Sequence, residues 1–235
     1  MARILIIIPA YNEGPNLGRV LDDLAEHVPG ADVVVVNDGS TDDTAQVAAG
    51  RGVAVVILPF NVGIGAGMQA GYRYAHRGGY GVAVQFDGDG QHRADQVAAL
   101  LEPLQAAAAD VVVGSRFLET RTHRPVWSRL LGIRILSAVI SFLVGRRVTD
   151  PTSGFRAANA PAIAYFAGSY PDDYPEPESL VLLHRLGFRV TEVPVAMRER
   201  QGGASTITTL RGVYYMVKVV LAICVDMMKP ARGGK

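Results

Sequence analysis

Residues 81–92 read GVAVQFDGDGQH, an uncharged approach that runs out at Asp87-Gly88-Asp89-Gly90-Gln91-His92. Gly81 to Phe86 has the length and composition of a buried strand. The glycines after each carboxylate let the backbone leave extended geometry and turn both acids toward one point. Two converging anions repel, so the pair needs a cation, a proton or a basic partner.

The same construction, an apolar run that ends in a polar loop, recurs on the N-terminal side. Arg3 to Ile8 predicts a strand ending in PAYNE, and Asn16 to His27 a helix with Leu17, Val20, Leu21 and Leu24 on one stripe. Asp32 to Val36 predicts a second strand, ending in NDGSTDD, with a helix over 42–49; Val53 to Leu58 predicts a third, with a helix over 67–77. Beyond the acidic turn, 95–107 reads as helix and 110–113 as strand. Runs apolar throughout, separated by helices, are the pattern of a parallel sheet covered on both faces. In such a sheet ligands bind outside the carboxyl ends of the strands, so PAYNE, NDGSTDD and DGDGQH are expected to converge on one crevice.

Each loop taken singly has a plainer reading. Residues 37–40 fit a turn, with Thr41 or Asp42 capping the following helix. DGDGQH lacks the closing Glu of an EF-hand calcium loop. Gly63-x-Gly65-x-Gly67 follows a strand and opens a helix, but its spacing is not the G-x-G-x-x-G of a dinucleotide site; these glycines suit close packing or approach to a ligand.

The chain has 235 residues, enough for one large domain, and its 23 Lys+Arg against 22 Asp+Glu give no sign of a nucleic-acid binder. The charges are unevenly placed. From Arg116 to Arg147 there are seven arginines and one acid, and from Val190 onward seven Lys/Arg and three acids, so the second half is expected to face something anionic; arginines solvated on ordinary helices are the alternative. The single cysteine, Cys224, sits in an apolar run and excludes an intramolecular disulfide and a cysteine zinc cluster. The run 4–8 is too short for a signal peptide, and 213–228, interrupted by Lys218 and Asp226, falls short of the roughly 20 apolar residues of a spanning helix.

Past Arg116 the pattern changes. Trp127 to Val144 predicts a long helix with Arg129 and Arg134 among apolar residues, the composition of an interfacial helix beside anionic lipid, although core packing explains much of it. TDPTSGFR (149–156) reads as a turn, SYPDDYPEPES (169–179) as an ordered loop leading into a helix over 179–185, and 190–195 as a late strand. One domain over 1–209 with a C-terminal helix and basic tail over 210–235 is expected.

PAYNE, VVVVNDGSTDDT, Asn61-x-Gly63, DGDGQH, GSRF, TDPTSGFR and MRERQGGAS stand in the order seen in glycosyltransferase family 2. From residue 3 to about 210 the chain resembles that family's polyprenyl-phosphate sugar transferase branch, which includes dolichyl-phosphate mannosyltransferases. The resemblance implies an α/β GT-A fold with a mostly parallel central sheet, a UDP- or GDP-sugar donor, Mg²⁺ or Mn²⁺, and transfer with inversion to a polyprenyl phosphate. It places the metal on Asp87 and Asp89, with Gln91 adding an oxygen, and the nucleotide along Pro9, Tyr11, Asn12, Glu13, Asp38, Gly39, Gly65, Asp87 and Gly88. Many relatives carry a multi-helix anchor after the catalytic region; none is expected here, so attachment at the cytoplasmic face of the membrane is expected through surface helices or a small membrane subunit. Pairing of C-terminal helices into a dimer is the alternative use of 210–228.

A lipid phosphate is mostly ionised at neutral pH, its second pKa being about 6, and needs cations to hold it rather than a strong base. Arg116, Arg129, Arg134, Arg200 and Ser205 are the candidates; Arg200 could instead clamp the donor diphosphate. A hydroxyl acceptor on a glycan or small molecule would need a carboxylate base, from Asp150, Asp173, Glu176 and Glu178. Asp150 could equally organise the PTSGFR turn, and Glu176 and Glu178 could bind sugar hydroxyls. A nucleotidyltransferase would be expected to show a basic, glycine-rich loop after the first strand, which PAYNEGPN is not. A non-catalytic nucleotide-sugar binding module is the remaining alternative.

Overall fold

The computed structural model describes residues 2–118, 127–198, 218–223 and 225. Seven strands form one sheet in the order β3-β2-β1-β4-β6-β5-β7, with β1 Ile4–Ala10, β2 Ala31–Asn37, β3 Ala54–Ile57, β4 Val82–Gln85, β5 Val111–Ser115, β6 Arg156–Asn159 and β7 Val190–Pro194. Among the described residues the helices that cover it include α1 Gly14–His27, α2 Thr44–Ala49, α3 Ile64–Arg77, α4 Val97–Gln105, α5 Trp127–Val144, α6 Ala160–Gly168 and α7 Pro175–Arg185, and residues 218–223 are helical too, with Val219 and Ile223 in the core. β6 alone runs against its neighbours β4 and β5, and every other pairing is parallel. This is the α/β, mostly parallel GT-A architecture.

The strands read as apolar throughout because both of their faces are covered, and side chains two apart share a face. On β1, Leu5 and Ile7 enter the core beneath α3, α5, α6 and α7, while Ile6 and Ile8 enter the core beneath α1 and α4. Val34 and Val36 against Val35 on β2, and Val111 and Val113 against Val112 on β5, divide in the same way.

Most elements fall where the sequence puts them, with ends shifted by one to three residues. Three differences bear on the site. β6 and α6 were not expected, since 149–156 read only as a turn. RAAN has weak strand propensity; it is held extended by β4 and β5 on either side. α6 then starts on an Asn159 cap, whose Oδ1 accepts from Ala162 N at 3.2 Å. Finally, α7 begins at Pro175 rather than Ser179, because proline suits a first turn and buried Arg156 donates to Glu176 O at 2.8 Å and Ser179 Oγ at 2.7 Å.

With six strands running one way, the loops after Ala10, Asn37, Ile57, Gln85 and Ser115 leave the same edge of the sheet. The reversed β6 brings the TDPTSGFR turn to that edge as well, because its first residue, Arg156, pairs with Gln85 and Val113.

Candidate active site

The PAYNE and NDGSTDD loops are stitched together. Asn12, at φ 55°, takes Thr41 N on its Oδ1 at 2.8 Å and donates its own N–H to Ser40 Oγ at 3.0 Å. Glu13 N donates to Thr44 Oγ1 at 2.9 Å, and Gly14 N to Asp42 Oδ2 at 3.0 Å. Tyr11 projects from this seam, half exposed.

Asp38 is buried, and its two oxygens accept Val62 N at 2.8 Å and Gly63 N at 3.0 Å, so it ties the β2 loop to the start of α3. Each oxygen has a second lone pair for a base or ribose. Gly39 is required there: its φ is +69°, and a Cβ would lie 2.5 Å from the carbonyl carbon of Phe60. Gly65, expected beside the nucleotide, instead packs on backbone, since a Cβ there would lie 2.3 Å from Pro171 O.

The acidic turn lies against β1, where the position of a Gly88 Cβ is 3.5 Å from Pro9 O and 3.6 Å from Glu13 Cγ. Asp89 accepts Gln91 N at 3.0 Å and Gln91 Nε2 at 2.5 Å, so Gln91, expected to offer an oxygen to a metal, uses its amide N–H to hold Asp89. Asp87 is partly open, its side chain 38% exposed. Its N–H donates to His92 Nδ1 at 2.9 Å, and its Oδ2 lies 3.4 Å from His92 Nε2. Arg198, whose guanidinium grips Asp23 at 2.9 and 3.0 Å, lies alongside, donating its backbone N–H to Gln91 O at 2.8 Å.

Two of the expected site residues take structural roles. Arg116, a candidate phosphate ligand, is buried, with Nε and Nη2 on Asp150 Oδ2 and Oδ1 at 2.6 and 2.7 Å and a further bond to Thr152 Oγ1 at 2.8 Å. Burial pushes its pKa down, but Asp150 outweighs this, with Asp87 adding to the effect, and the net direction is up. Asp150 is 0% exposed and also accepts Arg116 N at 3.1 Å, so it organises the turn and is not placed as a base open to an acceptor. Glu178 is buried within α7. Glu176 is largely buried, and that burial raises its pKa against the opposing field of Arg156; it hydrogen-bonds Gln85 and feels the charge of Asp87, which puts it beside the acidic turn. Asp173 and Arg134 are exposed, and Arg200, Ser205 and the side chain of Arg129 lie outside the described residues.

His92, Gln85, Gly154 and Arg156 belong to this site and were not singled out from the sequence. The DGDGQH motif contained the signal for His92, but its partners are remote in sequence. A cavity of about 580 Å³ at the amino ends of β1–β3 is a different feature: its charged groups pair with one another, Arg3 with Asp32 and Arg51 with Asp22, both at 2.9 Å.

Among the described residues no three His, Cys, Asp or Glu side chains converge into a self-sufficient metal site. What the acidic turn offers is two partly open carboxylates, that of Asp89 held by the N–H donors of Gln91. Hard oxygen donors in that number suit a divalent ion completed by phosphate oxygens.

The family model for glycosyl transferase family 2 matches residues 5–165. The chain is 32% identical to polyprenol monophosphomannose synthase of Mycolicibacterium smegmatis over 216 residues, 88% of this chain and 81% of that one. It is 34% identical to undecaprenyl-phosphate mannosyltransferase of Micrococcus luteus over 222 residues, 88% of each. Its fold is similar to that of glucosyl-3-phosphoglycerate synthase from Mycobacterium tuberculosis, solved with Mn²⁺, UDP-glucose and phosphoglyceric acid, with a TM-score of 0.74 at 23% identity over 99% of this chain and 82% of that one.

Proposed function

The chain belongs to glycosyltransferase family 2, and from that premise we propose that it moves a sugar from a nucleotide-diphosphosugar to a polyprenyl phosphate at a membrane surface. The observation that carries this reading is the meeting of the PAYNE, NDGSTDD and DGDGQH loops at one sheet edge, in a chain whose similar relatives are named for transfer to polyprenyl phosphates.

Asp38, Tyr11 and the Asn12–Ser40 seam hold the nucleoside end of the donor, and Asp87 and Asp89 would hold Mg²⁺ or Mn²⁺. The ion supplies charge neutralisation on the leaving nucleoside diphosphate. Glu176, beside Asp87, receives sugar hydroxyls. An oxygen of the lipid phosphate attacks the anomeric carbon, the bond to the diphosphate breaks with its electron pair, and in-line displacement inverts the centre. No proton has to move, which agrees with Asp150 being buried in its pair with Arg116. Holding the acceptor phosphate falls to Arg134, Arg129, Arg200 and Ser205.

No helix among the described residues is long and apolar enough to cross a membrane. α5 does present a stripe of exposed apolar residues, Leu131, Ile135, Ala138 and Phe142, on one face beside exposed Arg134. This is the composition of a helix lying in an anionic interface, and it would bring the crevice to an acceptor that stays in the bilayer.

The test is incubation with labelled UDP- and GDP-sugars, Mg²⁺ or Mn²⁺, and short-chain polyprenyl phosphate. Label is expected in an organic-extractable lipid; label only on a water-soluble glycan would overturn the acceptor. Asp89→Ala is expected to cut turnover at least about a hundredfold, the effect of several kcal/mol of lost charge stabilisation, with circular dichroism unchanged. Wild-type turnover by that variant would overturn the metal role.

A further inference from the structure

His92 is a buried, 3% exposed histidine with both ring nitrogens close to one residue. Its Nδ1 accepts the Asp87 N–H at 2.9 Å, and a ring whose Nδ1 accepts carries its proton on Nε2. That Nε2 lies 3.4 Å from Asp87 Oδ2, longer than an ordinary hydrogen bond, so the ring stands beside the carboxylate it supports through the backbone.

The ring itself is fixed. It stacks on Phe155 with centroids 4.7 Å apart and planes 22° apart, and it meets Phe86 edge-on at 5.3 Å. The residue before Phe155 closes the other side of the carboxylate: a Cβ on Gly154 would stand 3.2 Å from Asp87 Oδ1, 3.3 Å from Oδ2 and 2.9 Å from Gln85 Nε2. One turn, Ser153-Gly154-Phe155, therefore supplies the bare wall beside Asp87 and the aromatic floor under His92. A histidine kept only for packing would not need Nδ1 placed to accept the Asp87 N–H.

We propose that His92 is the positioning residue of the acidic turn, fixing the backbone of Asp87 through Nδ1 while Nε2 stands beside its carboxylate, with Phe155 and Gly154 completing the seat. The inference rests on the metal-and-diphosphate reading of that turn. It also assigns a task to TDPTSGFR, whose SGF portion acts on the donor ion through His92 rather than by contact.

Mn²⁺ binding by the full chain, measured by titration calorimetry with UDP and separately with GDP, tests it without turnover. His92→Phe keeps the stacked ring and removes both nitrogens. It is expected to melt cooperatively and bind Mn²⁺–nucleotide about 10- to 100-fold more weakly, the usual loss when a group behind a metal ligand is removed. Mn²⁺ affinity equal to wild type in folded His92→Phe would overturn the proposal. Where that variant does not fold, His92→Asn decides, since its amide oxygen can still accept the Asp87 N–H. Mn²⁺ binding close to wild type then supports the proposal, and a loss as large as that expected of His92→Phe overturns it. Asp87→Ala, run alongside, separates the two layers of the argument: full Mn²⁺–nucleotide binding by Asp87→Ala removes the metal reading, and the role of His92 with it.

Discussion

Substituting Asp150→Ala distinguishes a structural carboxylate from a catalytic base. The side chain is 0% exposed, its partner Arg116 9%, and the substitution removes four bonds: Arg116 Nε at 2.6 Å, Nη2 at 2.7 Å and N at 3.1 Å, and Thr152 Oγ1 at 3.2 Å. Taking one partner out of a buried ion pair strands the other charge away from water, at a cost of about 3–5 kcal/mol. Two features favour the lower half of that range. Asp87 lies near enough to stabilise the remaining guanidinium, and the turn stays anchored from behind by Thr149 N and Asp150 N on Glu192 at 2.8–3.0 Å. For a domain of this size 1 kcal/mol corresponds to roughly 2–4 °C, so a cost of about 3–4 kcal/mol is expected to lower the melting temperature by roughly 6–16 °C. The assay is thermal and urea unfolding by circular dichroism, with Arg116→Met/Asp150→Leu as the control; removing both charges together recovers most of the loss. An Asp150→Ala protein that melts within about 2 °C of wild type yet has lost turnover would refute the reasoning, and would make Asp150 a base for a hydroxyl acceptor.

Arg189, with Asn159 assisting, holds the Asp110 carboxyl at about 2, below the ordinary carboxylate value. A depressed acid stabilises the fold above its unfolded pKa and loses that contribution as pH falls through the folded one. Asp110→Asn is therefore expected to be about 1 kcal/mol less stable at pH 7, after allowance for solvent on the half-exposed Arg189, with the gap closing as pH falls toward 2; urea midpoints showing a gap independent of pH would contradict this. Wild-type protein is expected to float with anionic liposomes and Phe142→Glu/Ile135→Glu to stay behind at an unchanged melting temperature, because Phe142 is 85% exposed and supports nothing beneath it; equal flotation would exclude α5 as the membrane face.

The first half of the fold was legible because β1, β2 and β4 are buried on both faces and show this as unbroken apolar runs ending in polar loops. β6 carries no such signature. Its four residues, Arg156–Asn159, are extended because β4 and β5 leave a slot of that width, and the helix that follows went unread with it. The boundary of α7 was misplaced for a related reason, since what fixes its first turn is Arg156, a residue about twenty positions earlier.

At the site, residue type and order identified the acidic turn, the strand-end loops that meet it and the family. Charge alone, however, made Arg116 look available to a phosphate and Asp150 look like a base, when each is occupied by the other across 34 positions. The sequence by itself determined the periodicities, the strand-end loops and which side chains can carry charge, because these are properties of neighbouring residues. Only the tertiary structure decided which charges neutralise one another, that Gln91 and His92 serve Asp89 and Asp87, and that α5 turns Leu131, Ile135 and Phe142 outward. Pairing and exposure depend on what the rest of the chain brings within a few ångströms, and no local pattern encodes that.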